Sequence, residues 1–249
     1  MSAAPMQGRV AFVTGASRNI GRAIAVALAK AGIAVAVGAR TDNHDLRETV
    51  RLVEAEGVRC LAVTADLATS SACEDAVAAI AGEYSRLDIL VNNAALRSNV
   101  PLEQIDDETW CRVRSSILDA SFYTIRSAAP LLRQSPAGSI VNIGGVAGHA
   151  GIGGRIHVSA AKAAIAGLTR AVAAELASSG VTANCISPGR IETVRDGPLP
   201  PHFLERDTPL GRGGTPEEVA ALVAFLVGPD ARYLTGQTLH LTGGWHMGG

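Results

Sequence analysis

The first forty residues set the tightest constraint on this chain. An apolar run at 10–14 leads straight into a glycine-bearing turn, Thr14-Gly15-Ala16-Ser17-Arg18-Asn19-Ile20-Gly21. An amphipathic stretch near 19–31 follows, then a second apolar run at 33–38. A strand that hands over to a helix in so short a turn returns as a parallel neighbour, because the helix carries the chain back across the sheet. The pattern then repeats. Further strands are predicted at 59–64, 87–92, 139–143, 181–186 and 238–241, and helices near 42–56, 70–83, 106–133, 157–178 and 215–228. Several strands are continuous apolar runs, as expected where helices cover both faces of a sheet. The prediction is one α/β domain over 1–249, with a doubly wound parallel seven-stranded sheet flanked by helices.

Charge and cysteine usage narrow the functional classes. The net charge is −1, so no bulk field favours nucleic acid or an anionic membrane. The longest apolar stretch, 33–39, is far too short to span a bilayer. The opening residues lack the basic and apolar blocks of a signal peptide, and a cytoplasmic location is expected. Cys60, Cys73, Cys111 and Cys185 form no C-x-x-C pair and have no histidine at metal-ligand spacing. Free thiols and no metal are expected. The segment 188–214 is rich in Pro, Gly and Arg and has no periodicity, which predicts a loop that serves as a substrate lid.

The glycine turn has its own chemistry. Gly15 allows the tight bend, and Gly21 lets helix and strand approach closely. The helix N-terminus then offers N–H groups and a positive dipole end to a pyrophosphate. The second strand ends in Gly38-Ala39-Arg40, with no carboxylate to hold a ribose 2′-hydroxyl. Arg18 and Arg40 instead favour a 2′-phosphate. NADP is therefore the expected cofactor, with NAD the alternative.

Taken with these residues, the chain resembles the short-chain dehydrogenase/reductase family, of the type of the ketoacyl-carrier-protein reductases. Its turn matches Thr-Gly-x-x-x-Gly-x-Gly except that Asn19 replaces the middle glycine. Asp66-Leu67, the stretch Leu87 to Ala95, the segment Ser187 to Thr193 and the stretch Thr235 to Gly244 match further family motifs. The resemblance implies a Rossmann-like fold, a small-molecule carbonyl or alcohol substrate, and a homotetramer or dimer. It implies cofactor contacts from Thr14, Gly15, Ser17, Arg18, Asn19, Ile20, Gly21, Arg40, Asp66, Leu67, Asn93, Ala94, Lys162, Pro188, Gly189, Ile191 and Thr193. His240 reads as structural.

The chemical half departs from that family. Its Tyr-x-x-x-Lys signature keeps Lys162, but Val158 stands at the tyrosine position. Gly145 stands at the serine position and Ile117 at the asparagine position. None of the three replacements carries a proton-handling atom. His157 flanks Val158 and is a candidate substitute, as are His149, Arg155, Arg97, Arg190 and His202 in the flanking loops. Three readings follow: an oxidoreductase with a non-standard proton path, a catalytically silent NADP-binding sensor or partner subunit, or a non-redox lyase or isomerase.

Overall fold

β1 (Val10–Val13), β2 (Ala34–Ala39) and β3 (Cys60–Thr64) form one half of a single sheet. β4 (Ile89–Asn92), β5 (Ser139–Ile143), β6 (Thr182–Pro188) and β7 (Thr238–Leu241) form the other. The strand order is β3-β2-β1-β4-β5-β6-β7, and every pairing is parallel. This computed structural model describes residues 6–194 and 208–248. The order reverses between β1 and β4, the switch point at which such sheets open a crevice beyond their carboxyl ends. The predicted fold class is the observed one, with strand ends displaced by one or two residues.

Alternation along the strands assigns side chains to two cores. Ala11 and Val13 of β1 face the side covered by α1 (Asn19–Lys30), α2 (His44–Glu54) and α8 (Pro216–Leu226). Ile24, Leu28, Val219 and Val223 are fully buried there. Val10 and Phe12 face the opposite side, packed by α3 (Ser70–Tyr84), α5 (Ala120–Gln134) and α7 (Ile156–Leu176). Helix starts are locally encoded. Asn43 accepts from Leu46 N at 2.9 Å, Asp106 accepts from Thr109 N at 2.7 Å, and Thr215 forms a capping box with Glu218.

Two features of the second face bear on the site. The predicted helix 106–133 is α4 (Asp107–Arg114), a π turn over Ser115–Asp119, and α5 in unbroken helical backbone. Ile117 lies in that π turn, and such turns are frequent at functional sites. Beneath it runs a buried polar chain. Thr124 Oγ1 donates to Asn92 Oδ1 at 2.7 Å, Asn92 Nδ2 to Asn142 Oδ1 at 2.9 Å, and Asn142 Nδ2 to Thr169 Oγ1 at 2.9 Å. The chain ties β4 and β5 to α5 and α7. Replacing Asn142 with Ala strands the Asn92 amide in a dry interior. We expect a stability loss of about 2 kcal/mol, read as a lower urea midpoint with an unchanged slope.

A short helix, α6 (Ala147–Ala150), was not predicted; four residues carry no readable period. Of the predicted lid, residues 195–207, with Arg195, His202 and Arg206, lie outside the described residues. Its described ends are joined by a backbone bridge between Ile191 and Gly214.

Candidate active site

The loops after β1 and β4 interlock at the switch point. Asn93 Nδ2 donates to Thr14 O at 3.0 Å and Gly15 O at 2.9 Å. Thr14 Oγ1 accepts from the backbone N–H groups of Asn93 and Ala94, both at 3.0 Å. Gly15 sits at φ +63°, and a Cβ there would stand 2.8 Å from Ala94 Cα. A Cβ on Gly21 would collide with the Gly15 carbonyl oxygen and stand 2.6 Å from Asn93 Nδ2. The turn thus closes only around glycine at both ends, leaving the α1 N-terminus open to an anion. Arg22 Nη2 and Thr49 Oγ1 both donate to Ser17 O, at 2.6 and 3.0 Å, and pin the middle of the turn to α2.

Asn19 keeps the turn's shape and adds a link. Its φ is +53°, a left-handed conformation that asparagine tolerates. Its side chain accepts from Val194 N at 2.9 Å and donates to Val194 O at 3.1 Å. A glycine there would shape the turn but offer no grip on the chain leading into the predicted lid.

The cleft at the switch point has a volume of about 680 Å³. Its walls include Gly15, Ser17, Arg18, Asn19, Ile20, Gly21, Asn93, Ala94, Lys162, Pro188, Gly189, Ile191 and Thr193. Thr14 stands behind them as the buried hydrogen-bonding post. Three further expected cofactor residues lie outside the walls. Arg40 and Asp66 are exposed, and Leu67, in the loop after β3, is buried. Asp42 does not hold Arg40; it makes a bidentate pair with Arg47 at 3.0 and 2.9 Å.

The walls carry Arg18, Arg97, Arg155 and Lys162 and no carboxylate among the described residues. Arg97 Nη2 reaches Thr193 Oγ1 at 3.5 Å across the cleft. Burial pulls the Arg97 pKa down, and the like charge of Arg18 adds to it. Four cations lining one cleft, with Arg97 partly desolvated, suit a polyanion.

Lys162 lines the cleft. Nζ donates to Ile143 O at 2.7 Å. The side chain as a whole is partly exposed, while its ammonium is enclosed. Burial lowers its pKa to about 8; Cys185 opposes the shift, and Arg155 and Arg97 reinforce it. One turn earlier, Val158 is buried but borders the cleft. It packs with Ile117, Val113, Ala161, Ile165 and Cys185 in one apolar cluster. Val158 and Ile117, read from the sequence as standing at the family's tyrosine and asparagine positions, therefore share one contiguous apolar patch. Gly145 is different: a Cβ there would meet only Lys162 Cδ, at 3.9 Å.

The structure does not bring His157 or His149 to the cleft walls. His157, offered above as a catalytic substitute, is buried, outside the cleft walls, with both ring nitrogens lacking a hydrogen-bond partner. Its pKa is lowered by burial first and by Arg155 second. Position 157 is rotated about 100° from 158 on a helix, which carries its ring away from the face that Val158 turns to the cleft. His149 turns instead toward His240 and His246.

This fold and this cleft define a short-chain dehydrogenase/reductase, and the chain belongs to that family. The family profile described as enoyl-(acyl carrier protein) reductase matches residues 15–246. The chain is 35% identical over 240 residues to the 3-oxoacyl-[acyl-carrier-protein] reductase FabG of Staphylococcus aureus, covering 95% of this chain and 98% of the relative. It is 38% identical over 243 residues to the 3-oxoacyl-[acyl-carrier-protein] reductase of Synechocystis sp., covering 97% and 98%. A short-chain dehydrogenase from Burkholderia cenocepacia, solved in complex with NADP, superposes with a TM-score of 0.91 at 34% identity, covering 97% of this chain and 99% of that one. The short-chain dehydrogenase/reductase of Serratia marcescens superposes with a TM-score of 0.91 at 33% identity, with the same coverage. No helix of the described residues is long and apolar enough to cross a membrane.

Proposed function

We propose that the chain is an NADP(H)-dependent oxidoreductase that interconverts a carbonyl and an alcohol, with Lys162 rather than a phenol handling the proton. The observation that carries this reading is the cleft's titratable inventory. Among the described residues lining it, Lys162 is the one group whose pKa, about 8, lies near neutrality; the other cations are arginines. The residues fit the dinucleotide. Gly15 and Gly21 form a cradle that a Cβ would fill, and the cationic lining, Arg18 and Arg97 among it, suits a polyanionic cofactor.

When bound, the nicotinamide supplies the hydride. The chain's own residues do the rest. The α1 N-terminus and Arg18 would hold phosphate, and Thr193 and Pro188 would contact the nicotinamide. Lys162 releases a proton to the developing alkoxide and recovers one from solvent. Val158 and the patch behind it keep that side of the cleft dry, which holds the lysine's pKa down.

A second reading, a catalytically silent NADP-binding protein, is favoured by the apolar cluster that joins Val158 to Ile117. Nothing in the cleft favours the lyase or isomerase reading over either. Fluorescence titration with NADPH, followed by turnover on carbonyl compounds bearing carboxylate or phosphate, separates the two. We expect micromolar-range binding and slow turnover that Lys162→Met abolishes. In wild type, binding should weaken as pH rises through about 8, because the free protein then loses the Lys162 proton. In Lys162→Met that slope should vanish. Binding without turnover on any substrate would leave the silent reading standing, and no binding would sink both.

A further inference from the structure

Outside the cleft, three histidines far apart in sequence meet. His149 lies on α6, His240 on β7, and His246 on the tail beyond β7. One potential ligand nitrogen from each lies within 4.8 Å of the others. The His240 ring stands edge-on to both neighbours, with centroids 4.6 Å from His149 and 4.5 Å from His246. His149 Nε2 and His240 Nδ1 are buried and have no hydrogen-bond partner. Buried imidazole nitrogens ordinarily find one, and two orphans on rings of one cluster call for a ligand.

The tail is built to deliver the third ring. Gly243 and Gly244, at φ +62° and +88°, turn the chain back after β7. Thr242 Oγ1 then accepts from His246 N at 3.2 Å and donates to His246 O at 3.1 Å. Trp245 packs against Val146, Ala147 and Ile152, beside α6.

We propose that His149, His240 and His246 form a binding site for a divalent transition-metal cation of the zinc, cobalt or nickel type. Three neutral imidazoles with no carboxylate select a borderline-soft ion over magnesium or calcium. A metal–nitrogen bond of about 2.0–2.1 Å places tetrahedral ligand atoms roughly 3.4 Å apart, so the rings close by about an ångström on binding. Three protein ligands leave a fourth position for water. The ion would clamp the C-terminal tail to α6, whose Ala147 lines the cofactor cleft.

The test uses tag-free full-length protein and Co²⁺ alone as the probe. We expect one equivalent to bind with visible d–d absorption typical of nitrogen ligands and without thiolate charge transfer from Cys111. Zn²⁺ should displace it and raise the melting temperature. His149→Ala and His246→Ala should each weaken binding about 100-fold or more, since even outer-sphere changes cost 10–100-fold. His44→Ala, at an exposed α2 position, should change nothing. Unchanged binding in both cluster variants would overturn the site. Should either variant fold poorly, X-ray absorption of the zinc-loaded wild type decides it: scattering from three imidazoles supports the site, and fewer than three, or sulfur, overturns it.

Discussion

Val158→Tyr combined with Gly145→Ser is expected to raise carbonyl reduction about 100-fold over wild type, measured as NADPH oxidation at saturating cofactor. A positioned general acid contributes ~10²–10⁴-fold, and the low end applies because Ile117 stays apolar. The geometry admits both changes. The Gly145 Cβ direction is open, with Lys162 Cδ at 3.9 Å as its nearest neighbour, so a serine hydroxyl fits beside the ammonium. Val158 borders the cleft one turn from Lys162, so a tyrosine ring there can grow into the cavity rather than into the core. The adjacent ammonium lowers the phenol pKa toward neutrality. Val158→Tyr alone should gain less, and Gly145→Ser alone nothing, because a serine orients a carbonyl but supplies no proton at neutral pH. Adding Ile117→Asn should not help. That position is 1% exposed, and its amide would be desolvated among Val113, Ile165 and Cys185. A double variant that binds NADPH as wild type does yet shows no gain would mean that substrate no longer reaches Lys162.

The sheet was legible because strand runs and helical periods alternate without interruption, and each glycine turn falls where geometry demands one. Most of the residues expected to contact a cofactor line the cleft for the same reason: they follow strand ends directly, so position in sequence fixes position at the switch point. Where strand ends are followed by exposed loops, that inference weakened. Arg40 and Asp66 sit at the right strand ends, but their side chains stand outside the cleft walls. The π turn at Ser115–Asp119 was hidden because one extra residue per turn does not disturb a hydrophobic pattern read over four turns. The link from Asn19 to Val194 and the meeting of His149, His240 and His246 join segments distant in the chain, and no local spacing reports them. The most consequential case is the pair Val158 and Ile117. Sequence groups both with Gly145 as a set of three replacements, and packing joins Val158 and Ile117 in one apolar cluster.

Gly21→Ala should abolish detectable NADPH binding and lower stability by about 1–3 kcal/mol, the cost of forcing atoms into a closed space. Two effects oppose each other at this position. Gly21 lies in the first turn of α1, and alanine is the better helix former by about 1 kcal/mol. Against that, the new methyl would drive into the Gly15 carbonyl oxygen, 2.6 Å from Asn93 Nδ2 and 2.8 Å from Ala16 Cα. Two of those neighbours are backbone, and the third is held by bonds to Thr14 O and Gly15 O. None can yield without opening the turn, so the steric term wins. Relief by moving Asn93 would also release the loop that lines the opposite cleft wall, and so binding suffers more than folding. Gly167→Ala supplies the matched control. It is also helical, on α7, with nothing within 4 Å of its would-be Cβ. There the propensity term acts alone, and stability should rise by about 0.5–1 kcal/mol with cofactor binding untouched. Urea unfolding and NADPH titration of the two variants side by side read both terms. Equal behaviour of the pair would show that close approach at Gly21 does not shape the phosphate cradle.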